Sequence, residues 1–242
     1  MLGEPSHGDG ATFLAKGRLI KFLHQRMGFD VLAWEAGLFD CQDMDSAVRD
    51  PAVPLDDAIR RGVFPIWGTS AQVRPVFEYA RSVAGTSRPL EMIGFDPQFS
   101  GLGGSGARWR EAMIAFLYKA DPSILPAPLR ASLGHDFRGV SQPPAEIRSV
   151  AEMWRALPGL LDAARMKLEA THGVRALALM RRTADEAVFA LEGLARFREA
   201  AGQFNAADNN RRDQRMGETL VWLANERYQR RRMMVWAAQR WI

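Results

Sequence analysis

The chain has 242 residues, 47% hydrophobic and 25% charged, enough for one large domain with its own core and too apolar for a disordered chain. Its net charge of +4 is too mild for a nucleic-acid surface, because the one dense basic run, Arg227, Arg230, Arg231 and Arg232, falls at a helix end where cations meet the negative pole of the dipole and face solvent. The single cysteine, Cys41, excludes an internal disulfide, no apolar run reaches membrane-span length, and the opening MLGEPSHGDG lacks signal-peptide features, so the expected location is cytoplasmic.

Met1-Leu2-Gly3 reads as the last piece of a strand, followed at once by a polar loop from Glu4 to Asp9. A domain rarely opens on the end of a core strand, so this strand is expected at a sheet edge or with residues lost upstream. The spacing from Thr12 to Met27 predicts a helix with Phe13, Lys16, Ile20, Leu23 and Met27 on one face and Leu19 beside them. Thr12 would cap its start and Gly28 would end it in a left-handed conformation. Val31-Leu32-Ala33-Trp34-Glu35 is apolar on both faces, the pattern of a buried parallel strand. Cys41 follows, with Asp40, Asp43 and Asp45 nearby to raise its pKa, and is expected to be inert.

Helical patterns follow at Ala71–Ala84, Ala107–Lys119, Ile147–Leu168, Val174–Ala201 and Asn209–Tyr228. Leu90–Asp96 is a second strand ending in an acid, and Met233–Ala237 a third. Gly101–Gly106 is a turn without dinucleotide-binding spacing. The segment Asp121–Pro144 holds five prolines and reads as a loop or hinge. The expected fold class is therefore α/β: a mostly parallel sheet flanked by many long helices, with a helical subdomain. One domain over 1–242 is expected, with a helix-rich portion at about 121–230.

In open α/β sheets, ligands bind beyond the carboxyl ends of the strands, where both the Glu4–Gly8 loop and Glu35 fall. His7 in that loop could act as a general base on water, a step typically worth about 10²–10⁴-fold. Glu4 or Glu35 could hold its other ring nitrogen, fixing the tautomer and raising its basicity. A buried Glu35 is costly without a partner. Lys16 is the polar member of its helix face, and its structural alternative is snorkelling to solvent. Ser6 does not sit in a nucleophile elbow. His7 with Glu4, Glu35 and Asp96 is the metal-ligand alternative, but no paired histidines support it, so no metal and no cofactor are expected. His24, His135 and His172 are expected to be structural or exposed.

The segments GEPSHG, Lys16-Gly17-Arg18-Leu19-Ile20 and GFDVLAWE resemble the opening of the erythromycin esterase family. Trp67-Gly68-Thr69 with Arg74 to Arg81, then IGFDPQFSG and RRDQRMGETLVWL, resemble later segments in the family's order. The resemblance implies an α/β core with helical additions and metal-independent hydrolysis, in some members, of the macrolactone ester of erythromycin. Other members are linked by name to succinoglycan synthesis. It implies His7 as the base, Glu4 and Glu35 as orienting groups, Lys16, Trp67 and Asp96 on the substrate side, and a small-molecule ester as partner, with no nucleic acid and no membrane. Lys16 falls where some members carry an arginine, so the charge is kept but the bidentate fork is lost.

Two departures stand out. The residues that complete the family's first strand have no counterpart, and where the family carries a tryptophan–small–His–Asn–x–His motif this chain reads Trp236-Ala237-Ala238-Gln239-Arg240-Trp241-Ile242. A one-base shift can turn Ala-Gln-Arg codons into His-Asn-like ones, so the expectation is a chain truncated at both ends, by frameshift at the second. The alternative is a non-catalytic truncated member, or a binder of a small haem-like molecule.

Overall fold

Asp9, not Thr12, starts the first helix. In the computed structural model, which describes residues 1–4, 8–101, 104, 106–134, 142–203 and 205–238, Asp9 Oδ1 accepts the amides of Ala11 (3.1 Å) and Thr12 (3.2 Å). A carboxylate satisfies orphan donors and complements the dipole together, so it outcompetes a hydroxyl placed inside the first turn. The helix, α1, spans Gly10–Met27 and ends at Gly28 with φ 72°, as its sequence predicts. Its buried stripe runs through Phe13, Lys16, Gly17, Ile20 and His24. Met27, expected on that face, and Leu19, expected beside it, are exposed. The stripe is rotated because Gly17 and His24 supply the close contacts that larger apolar residues were expected to supply.

The elements then run β1 (Phe29–Gly37), α2 (Leu38–Arg49), α3 (Leu55–Arg60), α4 (Pro65–Gly68), α5 (Arg74–Val83) and β2 (Glu91–Asp96). After α6 (Ala107–Ala120) come α7 (Ala127–Leu133), α8 (Pro144–Trp154), α9 (Ala156–Ala163), α10 (Arg165–His172), α11 (Val174–Glu199), α12 (Ala206–Trp222) and β3 (Arg232–Trp236). The helix expected across Ile147–Leu168 is three helices. Pro158 lies in the first turn of α9, the place where its missing N–H breaks no helical bond. Helix α2 is not among the helices expected from the sequence, and the proline-rich stretch holds a short α7 where a loop or hinge is expected.

The sheet is parallel, in the order β2–β1–β3. Leu2 bridges Trp236 on the outer side of β3, so the opening residues lie at a sheet edge. Chain contacts divide the protein into two compact units. The first comprises Met1–Asp96, Ser100–Gly104 and Arg215–Ile242, and the second Pro97–Phe99 and Ser105–Gln214.

In the first unit, Leu32, Trp34, Met92, Met234 and Trp236 of the sheet pack with Phe13 and Ile20 of α1, Met44 and Val48 of α2, and Val76 and Phe77 of α5. Burial of side chains this size contributes about 1.5–3 kcal/mol each. In the second, Trp109 Nε1 donates to Thr183 Oγ1 (3.0 Å) and Trp154 Nε1 to Ser132 Oγ (3.1 Å), so its buried indoles are satisfied inside the helical layer. His172 Nε2 donates to the Phe116 carbonyl at 2.8 Å, a structural role. No described helix is long and apolar enough to cross a membrane.

The basic run near residue 230 differs from its expectation. Arg231 donates to Asp30 Oδ2 (3.1 Å) and Glu91 Oε2 (2.6 Å), Arg227 to Gln42 Oε1 (2.6 Å), and Arg232 to the Met27 carbonyl (2.5 Å). Only Arg230 is a plain solvated end, exposed with φ 65°. The others bind the entry of β3 to β1 and β2, because three strands entering from one side bring Asp30 and Glu91 together.

Candidate active site at the carboxyl ends of the strands

Parallel pairing puts the ends of the Leu2 segment, β3, β1 and β2 on one side of the sheet. Four residues of interest follow from that. Glu4 lies two residues beyond Leu2, Trp236 ends β3, Glu35 lies near the end of β1, and Asp96 ends β2.

Glu4 is buried. Its Oε2 accepts from Lys16 Nζ at 2.6 Å and from Trp236 Nε1 at 2.9 Å, and its Oε1 accepts from Trp67 Nε1 at 2.9 Å. A buried carboxylate is tolerated only when paired and hydrogen-bonded, and all three donors come from different elements: α1, α4 and β3. Lys16 does not snorkel, for it is 4% exposed and its Nζ lies 4.3 Å from the centre of the Trp236 ring. Burial pushes the Lys16 ammonium below its ordinary pKa, against the Glu4 hydrogen bond and the charges of Glu4 and Glu35, which hold it up. Trp67 is fully buried and commits its N–H to Glu4, so it stands behind the carboxylate.

Glu35 Oε2 accepts the amide of Ala238 at 2.6 Å. The chain leaving β3 is thus tied to β1, while the Ala237 amide reaches the Leu2 carbonyl at 3.3 Å. Asp96 is buried at the end of β2, opposite Gly37 in register. Its charge acts on Cys41. Burial pushes that thiol well above its ordinary pKa, and Asp40, Asp45 and Asp96 add to the shift. A thiol kept protonated in this way is a poor nucleophile. His24, expected to be structural or exposed, is buried with Nδ1 2.6 Å from Tyr79 Oη.

His7, Ser6 and His135 lie outside the described residues. Among the described residues, no three His, Cys, Asp or Glu side chains are grouped to hold a metal ion.

Two features escaped sequence reasoning. Trp236 reads as a strand residue and as the tryptophan opening the family-like end segment, not as a donor to Glu4, though a tryptophan ending a strand beside a buried acid is a candidate donor. Asp40 Oδ2 accepts the amides of Ser100 (2.6 Å) and Gly101 (3.1 Å), and Ser100 Oγ accepts the Gly37 amide (2.8 Å). This clasp fixes the loop after β2 to the end of β1. Nothing in the spacing of Asp40 and Ser100 announces it.

A parallel sheet flanked by helices, with buried carboxylates at its strand ends, defines an α/β protein, and in open sheets of that class ligands bind beyond the strand ends. The family described as Erythromycin esterase matches residues 24–242, and the chain belongs to the erythromycin esterase family. Glu35, Trp67 and Asp96 fall inside the matched residues; Glu4, His7 and Lys16 precede them.

A 97-residue stretch, 40% of this chain, is 33% identical to the putative hydrolase YbfO of Bacillus subtilis (strain 168) and covers 21% of that protein. A Bacillus cereus protein of solved structure superposes with a TM-score of 0.74 at 18% identity, over 97% of this chain and 55% of its own. A mutant of the erythromycin esterase EreC in its open conformation gives 0.66 at 16%, over 98% and 59%. A succinoglycan biosynthesis protein gives 0.61 at 16%, over 98% and 55%. The chain thus spans about a fifth of the curated relative and less than two thirds of each solved one. At such identities the solved structures speak for the fold, α/β with many helices.

Proposed function

We propose that the chain carries an ester-hydrolase centre in which water attacks an ester carbonyl with His7 as general base. The observation that supports this reading best is Glu4, a carboxylate fixed by three N–H donors at the strand ends and three residues ahead of His7. A base must be held within hydrogen-bond reach of the proton it takes, and a rigidly held carboxylate three residues away in the sequence serves that end.

In this reading His7 takes the proton as the water oxygen adds to the carbonyl carbon, and returns it to the departing alkoxide. Glu4 and Glu35 orient the base and its surroundings. Lys16 and Asp96 stand on the substrate side, and Lys16 supplies positive charge where the oxyanion develops. Trp67 acts through Glu4, because its N–H is spent there. Membership in the erythromycin esterase family and the resemblance to a putative hydrolase support an ester as the substrate class, and a macrolide lactone such as erythromycin is the first candidate.

The test is to incubate the purified protein with erythromycin and, separately, with p-nitrophenyl acetate. The expected result is a macrolide product heavier by one water, or release of nitrophenol, abolished by His7→Ala. Binding of either compound without turnover, or full turnover by His7→Ala, overturns the reading.

A further inference from the structure

One aromatic ring serves both members of the buried ion pair. Trp236 Nε1 donates to Glu4 Oε2 at 2.9 Å, the same oxygen that accepts Lys16 Nζ, and the face of that indole lies 4.3 Å from Lys16 Nζ. The ring is fully buried and cannot swing. Trp34 stacks on it with centroids 4.6 Å apart, and Phe13 tilts against it at 5.8 Å. Its backbone is held from both edges, by Trp34 of β1 in register and by Leu2 on the outer side.

We propose that Trp236 is a positioning residue for the hydrolytic centre: its N–H sets the Glu4 carboxylate, and its π face sets the Lys16 ammonium against that carboxylate. This assignment rests on the hydrolytic reading of the same site.

Two carboxylate charges, those of Glu4 and Glu35, act on the Lys16 ammonium. Glu35 also attracts Lys16, since its charge contributes to holding Lys16 protonated. A flexible four-carbon side chain drawn by two carboxylate charges has no fixed position of its own. The indole removes the ambiguity in two ways. Its negative π face attracts the ammonium, an interaction that strengthens when desolvated. Its N–H meanwhile fixes Oε2, the atom to which Lys16 donates, from a direction the lysine does not occupy. The pair is therefore pre-organised by a side chain that has no reason to touch substrate. Trp67 performs only half of this task, on the other oxygen.

Trp236→Phe keeps a ring face and deletes the N–H, while Trp236→Leu deletes both. With p-nitrophenyl acetate, kcat is expected to fall about tenfold or more in Trp236→Phe and further in Trp236→Leu, the factor a hydrogen bond to a charged group supports. KM should stay within about twofold, since a residue acting through others leaves ground-state binding alone. Unchanged kcat in folded Trp236→Phe, or an effect on KM alone, overturns the proposal.

A second measurement needs no activity. The Trp236 indole N–H resonance, assigned by its absence in Trp236→Phe, should move in both Glu4→Gln and Lys16→Met, while that of Trp154 stays put. A Trp236 resonance unmoved by either change overturns the positioning role. If the wild-type protein hydrolyses no ester, the hydrolytic reading falls and the resonance alone decides whether Trp236 holds the pair.

Discussion

The backbone amide of Ala238 donates to Glu35 Oε2 at 2.6 Å, so a carboxylate near the end of one strand holds the chain as it leaves the next. Such a bond to a charged acceptor contributes about 1.5–3 kcal/mol. Glu35→Ala should therefore speed hydrogen exchange at the Ala238 amide by roughly 10- to 100-fold, with amides inside β1 unchanged. Equal protection in both proteins would remove Glu35 from this holding role.

Lys16 and Glu4 form a buried pair, and breaking such a pair leaves an uncompensated charge. Lys16→Met should cost about 3–5 kcal/mol in urea unfolding. Adding Glu4→Gln to it should recover part of that loss, because the buried charge is then gone, although the single Gln carbonyl can accept from only one of the two indoles that Glu4 takes on its two oxygens. A double variant less stable than Lys16→Met would show that the pair is not the source of the cost.

The placement of this pair was half legible in the sequence. Glu4 and Lys16 stood out as polar residues in the loop and on an otherwise apolar helix face, and Glu35 as an acid ending an apolar strand. Periodicity and strand grammar are local, and they located the strands β1, β2 and β3 to within a residue or two. What closes the site is not local. Trp67 and Trp236 reach Glu4 from 63 and 232 residues away, and the amide of Ala238 reaches Glu35 from 203. No spacing rule encodes such partners. The rotation of the α1 stripe was missed for a related reason, since a glycine and a histidine hold positions that apolar counting gives to Leu19 and Met27.

Glu91 joins the strand entries, taking hydrogen bonds from Arg231 and Tyr228. Burial alone would raise its pKa, but the bonds from Tyr228 and Arg231, with the charges of Arg231 and Arg227, outweigh it and leave the pKa below 4.5. The unfolded chain then binds more protons than the native one in the window between the depressed native value and the ordinary glutamate value, so stability rises with pH there. The contribution is fully present above that window and is lost as pH falls through the native pKa. Glu91→Gln should flatten this part of the stability–pH curve, as read from urea midpoints on the acid side. A curve of unchanged slope would place the acid sensitivity elsewhere.

Cys41 gives a prediction of silence. With its thiol buried and its pKa pushed up by that burial and by Asp40, Asp45 and Asp96, the folded protein should not react with a disulfide reagent at mildly alkaline pH. The same reagent should titrate one thiol in denaturant. Reaction in the native state, followed by absorbance, would show that the α2–β2 layer opens locally.

Gly94 tests how tightly the strand ends are built. It pairs with Trp34, and the register slips between Trp34 and Gly37, which gives β1 an irregular step just where Glu35 stands. That step brings the carbonyls of Ala36 and Gly37 against Gly94, where a Cβ would collide with both. These are backbone atoms, so no side-chain rotation relieves the clash. Either the step in β1 straightens or the strands part. Gly94→Ala should thus cost about 1–3 kcal/mol or more as overpacking, seen as a lower thermal midpoint. Because the displaced carbonyls flank Glu35 and the Gly37 amide bound by Ser100, ester turnover should also drop in the protein that remains folded. Gly101→Ala, which meets the Arg61 carbonyl on the loop after β2, is the comparison. It should lower the midpoint as well. A Gly94→Ala protein with wild-type midpoint would mean that the step in β1 is soft and that Glu35 is not rigidly placed by it.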